Sequence, residues 1–460
     1  MRFMVAVPRA QKFISAVDPI VVSSGVARVI ATIASPISAV FIIHFLSLPE
    51  QGYWYTFLGL VTIVNYAELG MGQVILQFAA YEWGEFSSAS QTFESDNGRR
   101  LKSIFRIALL FGGLTALIGL MTALPLGYFI LSSRGGNQDI HWLGPWVFVS
   151  LVAPLNLALV FINAFLEGCQ MIVAANLRRA AQAVAQVAGA FLIFALGGKL
   201  WALGAGQFAS FGIGLLWIVL TQRSFLRSLI KGFLNNKQVS WRDEIWPLQW
   251  RYAAGWATGP LIYGLFSPLI FALVGSEAAG RFGFTFAIVG VVLAYSQVWI
   301  GSRAAVFTKL NAGANWGELT DLFGKSVKQG VLTYLAGGAV LLVGIRFLNS
   351  MFPSLAGRFL DLSSTLLLLA AGSVTLLIFS IMFFVRSFKE EPFVRMAWIG
   401  AILMVVLLPL GIFLFQTTGA SGAYLVSQLT VLPIAYQIYE SYRKRIPYQS
   451  GQPAGSVGHV

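Results

Sequence analysis

The stretch SAVFIIHFLSLPEQGYWYTFLG, residues 38–59, decides the fold. It contains two apolar segments joined by a short turn that carries one acidic residue. A similar stretch, FSPLIFALVGSEAAGRFGFTFA, occupies residues 266–287, so that Gly52 aligns with Gly280. In both copies an apolar helix ends, an acidic turn follows, and an aromatic-rich helix begins through the aligned glycine. This similarity predicts a chain made of two related halves.

Composition places both halves in a membrane. Hydrophobic residues make up 57% of the 460-residue chain, charged residues only 11%, and the mean hydropathy is +0.75. Soluble domains carry about 25% charged residues. The uncharged runs that are about long enough to cross a bilayer are 29–49, 107–133, 140–166, 180–198, 200–222, 252–276, 282–302 and 362–385.

Three further segments complete the predicted spans. Residues 51–81 are interrupted only by Glu68, residues 329–345 form a slightly short run, and the long run 396–439 divides into two. The sequence therefore predicts an all-α polytopic membrane protein with about twelve transmembrane helices. The two halves would form pseudo-symmetric six-helix lobes.

The positive charge agrees with twelve spans. The net charge is +13, and alternating the loops of twelve spans puts 25 of the 31 basic residues on one side of the membrane. Basic residues accumulate in cytoplasmic loops, so we expect both termini in the cytoplasm and no nucleic-acid partner. Six spans precede the repeat boundary and six follow it, which gives both halves the same orientation. Parallel repeats of this kind favour a pathway at their interface and alternating access.

These boundaries predict four regions. Residues 1–223 form the N-terminal six-helix lobe, 224–250 a cytoplasmic amphipathic linker, 251–440 the C-terminal six-helix lobe, and 441–460 a basic, disordered cytoplasmic tail. The linker interleaves basic residues with tryptophans, as expected of a segment in the headgroup region.

Three stretches resemble a known family. FLSLPEQGYWYTFLGLVTIVNYAELGMGQVILQFAA (45–80) is similar to the second-helix signature of polysaccharide transporters. FLEGCQMIVAANLRRA (165–180) looks like that family's loop between the fourth and fifth helices, and PLQWRYAAGW (247–256) like its entry into the second half. The signature positions are filled by Glu50, Gly52, Tyr53, Glu68, Leu69 and Gly70. Many relatives have aspartate where this chain has Glu68.

The resemblance points to the O-antigen flippase branch of the MOP superfamily, which also contains MATE drug/cation antiporters and lipid II flippases. It implies two lobes in a V around a central cavity, in a bacterial inner membrane. The implied substrate is an undecaprenyl-linked oligosaccharide, carried from the cytoplasmic to the periplasmic leaflet. Polymerase and chain-length proteins of a glycan assembly pathway are the implied partners. A MATE-like cation-coupled antiporter is the alternative, and it would have a compact anionic site in one lobe.

Two charges inside the spans are the first site candidates. Arg28 lies 19 residues before Ser47 and Glu68 lies 16 after Gly52, so their depths agree within about one helical turn. Each charge alone would cost about 2.5–3.5 kcal/mol at the bilayer centre. We expect them to form an ion pair. The pair either fixes helix packing, or faces the cavity, where Arg28 would meet a pyrophosphate or acidic sugar and Glu68 would titrate or bind a cation.

Uncharged polar and aromatic residues at membrane depth are further candidates for sugar recognition or, equally, for interhelical hydrogen bonds. They are Asn65, Gln73, Gln77, Tyr295, Gln297 and Trp299. A short loop carries Glu167, Arg178 and Arg179, which we expect to be solvated.

The sequence indicates no catalytic site. Gly-rich patches such as ALGGKLWALGAG (195–206) lack the Walker spacing, so the chain has no ATPase motif of its own. The three histidines do not cluster in sequence, and the longest outer connection is short. We therefore expect a transporter rather than an enzyme, with no cofactor and with energy from coupled H+ or Na+ or from consumption of the product.

Overall fold

The computed structural model describes residues 19–88, 93–133, 140–230, 239–352 and 357–445. Within the first helix the side chain of Arg28 lies outside the described part of the molecule. The α-helices are α1 (Pro19–Phe45), α2 (Leu48–Asn65), α3 (Met71–Ser88), α4 (Asp96–Ser132), α5 (Leu143–Gly168), α6 (Ile172–Ala195), α7 (Trp201–Thr221), α8 (Arg223–Ile230), α9 (Trp246–Trp256), α10 (Phe266–Leu273), α11 (Ser276–Gly301), α12 (Ala304–Ala312), α13 (Trp316–Met351), α14 (Leu362–Arg386) and α15 (Val394–Arg443).

Eight helical segments of the described chain are long and apolar enough to cross a membrane, or nine when the bent pair that contains α9 and α10 counts as one span. The longest of them, α15, is a hairpin, because Ser427 Oγ donates to the carbonyl of Gly400, 27 residues away, at 3.2 Å. Its helical geometry breaks at Phe415 and Gln416. With α1 and α6, which have 27 and 24 residues, these segments are consistent with the twelve predicted spans.

Helix ends are set by local signals. Ser47 caps α2 in a capping box, in which its hydroxyl accepts from the Glu50 amide and the Glu50 carboxylate accepts from the Ser47 amide at 2.7 Å. Asp361 caps α14 by accepting from the Ser364 amide at 3.0 Å. Such caps satisfy backbone donors that would otherwise lack a partner at a helix N-terminus.

The helices form two bundles. In the first, α6 packs along α1 and α7, and α5 packs along α3, α4 and α7. In the second, α11 packs along α13 and α14, and α14 packs along α15. The bundles meet chiefly where α2 crosses α11, the helices that begin at the two copies of the repeat. The predicted two-lobe, all-helical fold is confirmed.

Two features of the spans were not predicted from the sequence. The helix of the first span, α1, packs mainly along α6, where Asn176 donates to the hydroxyls of Ser23 and Ser24. The predicted span 252–276 contains a π-turn at Pro260–Gly264 and is bent by 41°. Proline removes a backbone donor, which explains a break at this position.

Candidate functional site

The lobes meet at two glycines that are equivalent in the repeat. A Cβ added to Gly52 would lie 1.9 Å from the carbonyl oxygen of Ser276, and one added to Gly280 would lie 2.9 Å from the Gly52 amide nitrogen. One turn further, a Cβ on Gly283 would lie 2.4 Å from Cβ of Tyr55. Only glycine lets α2 and α11 approach this closely. We call this crossing the glycine seam (Gly52, Tyr55, Ser276, Gly280 and Gly283).

A polar clamp reinforces the glycine seam. Gln51 is fully buried, and its amide nitrogen donates to the carbonyl of Gly280 at 2.9 Å. The guanidinium of Arg358 donates to the Leu46 carbonyl and, at 3.3 Å, to the Gln51 side-chain oxygen. Arg358 belongs to the second half of the chain and Gln51 to the first. The clamp therefore holds the two lobes together at this end of the bundle.

The second span breaks beside Glu68. Residues Tyr66–Glu68 form a 3-10 turn, and Leu69 and Gly70 follow with positive φ angles of 48° and 71°. The Glu68 carboxylate accepts from the amide of Gly72, at the start of α3, at 3.2 Å. A carboxylate stabilises a helix N-terminus because unpaired amides and the helix dipole are positive there. Glu68 is half-buried and caps α3, a role the sequence analysis missed.

The segment around α9 packs against this break as well as against α15 of the second lobe. A Cβ on Gly70 would lie 2.7 Å from Cβ of Tyr252, and the Tyr66 and Trp256 rings lie 6.0 Å apart. The Gln77 amide donates to the Tyr252 hydroxyl at 2.8 Å. Trp256 is the repeat equivalent of Arg28, whose helix stays within the first bundle. The two halves thus differ at the helix that opens each of them.

A cavity of about 690 Å³ lies between the segment around α9 and helices α11, α14 and α15. Aromatic rings on its walls include Tyr66, Trp256 and Phe379, and amides include Gln297 and Gln428. Aromatic faces and amides are groups suited to stacking on sugar rings and bonding to their hydroxyls. The segment around α9 forms one wall of this cavity.

Three charged residues line the cavity and leave it with a net charge of +1. Arg386 donates to both oxygens of Glu391, at 2.7 and 3.0 Å. Arg251 has no carboxylate partner among the described residues, and its guanidinium lies 5.9 Å from the Trp250 ring centroid. A free guanidinium at the edge of a cavity is suited to bidentate binding of a phosphate.

A smaller cavity of about 200 Å³ lies inside the first lobe. Its polar walls come from four side-chain amides and one hydroxyl, and no carboxylate lines it. One amide oxygen, that of Gln207, is buried without a hydrogen-bond partner. These polar residues are Asn65, Asn156, Gln186, Gln207 and Ser210.

The predicted site residues are spread over several places. Gln297 lines the large cavity and Asn65 the small one. Gln73 of α3 and Tyr295 of α11 are exposed, and the indole of Trp299 donates to Thr333 at 2.8 Å.

The proposed partnership of Arg28 with Glu68 stays a prediction, since the Arg28 side chain is outside the described part. Arg178 was expected to be solvated and is instead only 2% exposed, with two guanidinium nitrogens lacking partners.

The sequence reasoning also missed Arg251, Thr375 and Gln428 as cavity residues. Arg251 stands in the PLQWRYAAGW stretch, but nothing in that stretch shows that α9 packs against the break in the second span. Thr375 and Gln428 are joined at 3.3 Å across α14 and α15. A lone threonine or glutamine in a long apolar helix gives no signal of what it faces.

Solved transporters share this architecture. The lipid II flippase MurJ in an inward closed conformation aligns with a TM-score of 0.65, over 93% of this chain and 88% of that one, at 10% identity. An inward-facing multidrug resistance MATE family transporter of the MOP superfamily gives 0.60, over 91% and 100%, at 11% identity. A MOP superfamily transporter from Pyrococcus furiosus gives 0.57, over 93% and 95%, at 12% identity.

The chain has the fold of these transporters. No family model matches its sequence, and no curated protein is similar to it in sequence. Identities this low establish the fold alone, so the resemblance to polysaccharide transporters stays a prediction.

Proposed function

We propose that the protein carries an anionic, undecaprenyl-linked oligosaccharide across the bacterial inner membrane by alternating access. Both termini would lie in the cytoplasm, and the direction of transport would be towards the periplasmic leaflet. The observation that supports this proposal most is the 690 Å³ cavity with a net positive rim, beside a lobe interface sealed by the glycine seam. Glycan polymerase and chain-length proteins remain the proposed partners.

The cavity chemistry matches both parts of such a substrate. A diphosphate carries negative charge, and Arg251 offers it a guanidinium that no described carboxylate neutralises. Sugar rings would stack on Trp256 or Tyr66 and bond to the amides of Gln297 and Gln428. Arg251 and Arg386 lie on the predicted cytoplasmic side, where the substrate would enter.

The glycine seam and the clamp would close the opposite, predicted periplasmic side. Beyond the seam, α3 packs against α4 and α5, while α11 packs against α13 and α14. On the predicted cytoplasmic side the lobes are joined again, by the Gln77–Tyr252 hydrogen bond and by an ion pair at 2.6 Å between Arg100 of α4 and Glu244 in the turn before α9. Release of the substrate would require α2 and α11 to part at Gly52 and Gly280.

A MATE-like antiporter is the second candidate, since MATE structures share the fold. That function predicts a compact anionic site in one lobe. In the described part of the chain, the small cavity of the first lobe has only amides and a hydroxyl, and the one carboxylate of the large cavity is held by Arg386. These linings favour the anionic lipid-linked substrate over an organic cation.

The test compares two arginine variants in a bacterial strain that lacks the protein. Arg251→Gln removes the free cavity charge, and Arg242→Gln removes an exposed charge from the preceding turn as a matched control. We expect Arg251→Gln to reduce surface glycan at least tenfold and to accumulate lipid-linked precursor, while Arg242→Gln restores export. If the wild-type protein restores drug resistance to the deletion strain and does not change its surface glycan, the result would instead support the antiporter.

A further inference from the structure

A second groove shares no lining residue with the proposed transport cavity. It has a volume of about 610 Å³ and runs between the first turns of α13 and the last turns of α15. Phe323, Val331 and Leu332 of α13 form one wall, and Tyr439 of α15 forms the other. Leu332 is 56% exposed, so this wall is open to the outside of the bundle.

The two aromatic rings that line the groove pack on a third ring behind it. The Phe384 ring of α14 lies 4.8 Å from that of Phe323 and 5.0 Å from that of Tyr439, centroid to centroid. Phe323 and Tyr439 are themselves 5.9 Å apart. The three rings contact one another, so the aromatic part of the groove wall is held in place by buried packing.

Two basic side chains line this groove. Lys328 is exposed and has no carboxylate within salt-bridge distance among the described residues. Arg443 has a single acidic contact among the described residues, with Glu440 of its own helix at 3.4 Å. With Glu440 included, these three groups carry a net charge of +1. An anion could bind here without displacing a buried ion pair.

The basic groups and the apolar wall lie at different depths. Lys328 immediately precedes the predicted span 329–345 and Arg443 ends α15, so both lie at the predicted cytoplasmic interface. Leu332 lies one turn beyond Lys328, about 6 Å deeper along the helix. Basic groups at the interface above an apolar groove are suited to an anionic lipid headgroup with its acyl chain below.

We propose that this groove is a binding site for an anionic membrane phospholipid. The lipid phosphate would lie between Lys328 and Arg443, and one acyl chain would lie along Val331 and Leu332. The proposal does not depend on the transported substrate, because the groove shares no lining residue with the transport cavity.

The test measures binding to the purified, delipidated full-length protein by native mass spectrometry. Phosphatidylglycerol and phosphatidylcholine of identical acyl chains are titrated separately. The double variant Lys328→Gln, Arg443→Gln should weaken phosphatidylglycerol binding about 25-fold, since one basic group near a lipid surface is worth about fivefold. It should leave phosphatidylcholine binding unchanged. The control is the exposed pair Arg227→Gln, Arg242→Gln, which should change neither.

A groove-filling variant tests the acyl-chain part separately. Gly324 lines the groove, and a Cβ added there meets nothing within 4 Å, so Gly324→Phe introduces a ring without a clash at its base. It should weaken phosphatidylglycerol binding although both cations remain. Equal binding of the two lipids, an equal loss in the control pair, or no effect of Gly324→Phe would each overturn the proposal. Competition by a peptide of residues 446–460 would assign the groove to the tail of the chain.

Discussion

The glycine seam makes a quantitative prediction about the lobe equilibrium. In Gly52→Ala, the added Cβ would lie 1.9 Å from the Ser276 carbonyl oxygen, whereas non-bonded heavy atoms prefer about 3.5 Å. The helices must therefore part by about 1.6 Å. The obstacle is backbone on α11, not the end of a flexible side chain. Overpacking of this kind costs about 1–3 kcal/mol. The cost applies only to the state in which the seam is closed. The ratio of open to closed molecules should therefore rise about 5-fold to 150-fold.

Spin labels at His44 and Glu277, which are exposed on opposite sides of the seam, would report this change in proteoliposomes. The single native cysteine, Cys169, is buried and should stay unlabelled. We expect Gly52→Ala to add a longer distance to the label distribution. The matched control is Gly290→Ala on α11, where an added Cβ meets nothing within 4 Å. Identical distributions for the two alanine variants would refute the idea that this contact sets the lobe equilibrium.

Three further predictions follow from single contacts. If Arg28 and Glu68 pair, the charge swap Arg28→Glu with Glu68→Arg should recover the protein level lost in either single variant, as measured by immunoblot of membranes; equal losses would show that they do not touch. Asp361→Ala should lower the free energy of unfolding by about 1 kcal/mol through loss of the α14 cap, measured by denaturation in detergent, with the exposed Ser133→Ala unaffected. In intact cells an impermeant maleimide should label Ser133→Cys and not Glu318→Cys, and the reverse result would invert the proposed topology.

The architecture was predictable because the bilayer restricts the possibilities. Backbone polar groups in hydrocarbon must be satisfied within the segment, so a long apolar run is a helix with little ambiguity. The repeat also marks a contact between the lobes. Gly52 and Gly280 align in sequence, and they pack against each other in the structure. Two related segments that share a pseudo-symmetry axis meet at equivalent residues, which is why small residues stand at both positions.

The site was much less predictable, because it depends on departures from regular helices. The break at Tyr66–Glu68 occurs in a run that only Glu68 interrupts, and the π-turn at Pro260–Gly264 occurs in a run without charged residues. A hydropathy profile reveals neither of these two breaks. Glycines near each break permit the geometry without requiring it. Glu68 was explained from the sequence by a charge partner, whereas the structure shows the backbone amide of Gly72 as its contact.

The two halves differ in how their opening helices, α1 and α9, pack, and this difference bears on function. A perfectly symmetric pair of lobes would have equal cavities, but here α1 packs mainly along α6, while α9 packs on Tyr66 and Gly70 as well as on α15. The large cavity lies between the segment around α9 and helices α14 and α15. A movement of α9 towards α14 and α15 would reduce that cavity and free the Gln77 amide from Tyr252. Since α9 contacts both the broken span and the cavity, its position would couple occupancy of the cavity to the arrangement of the lobes.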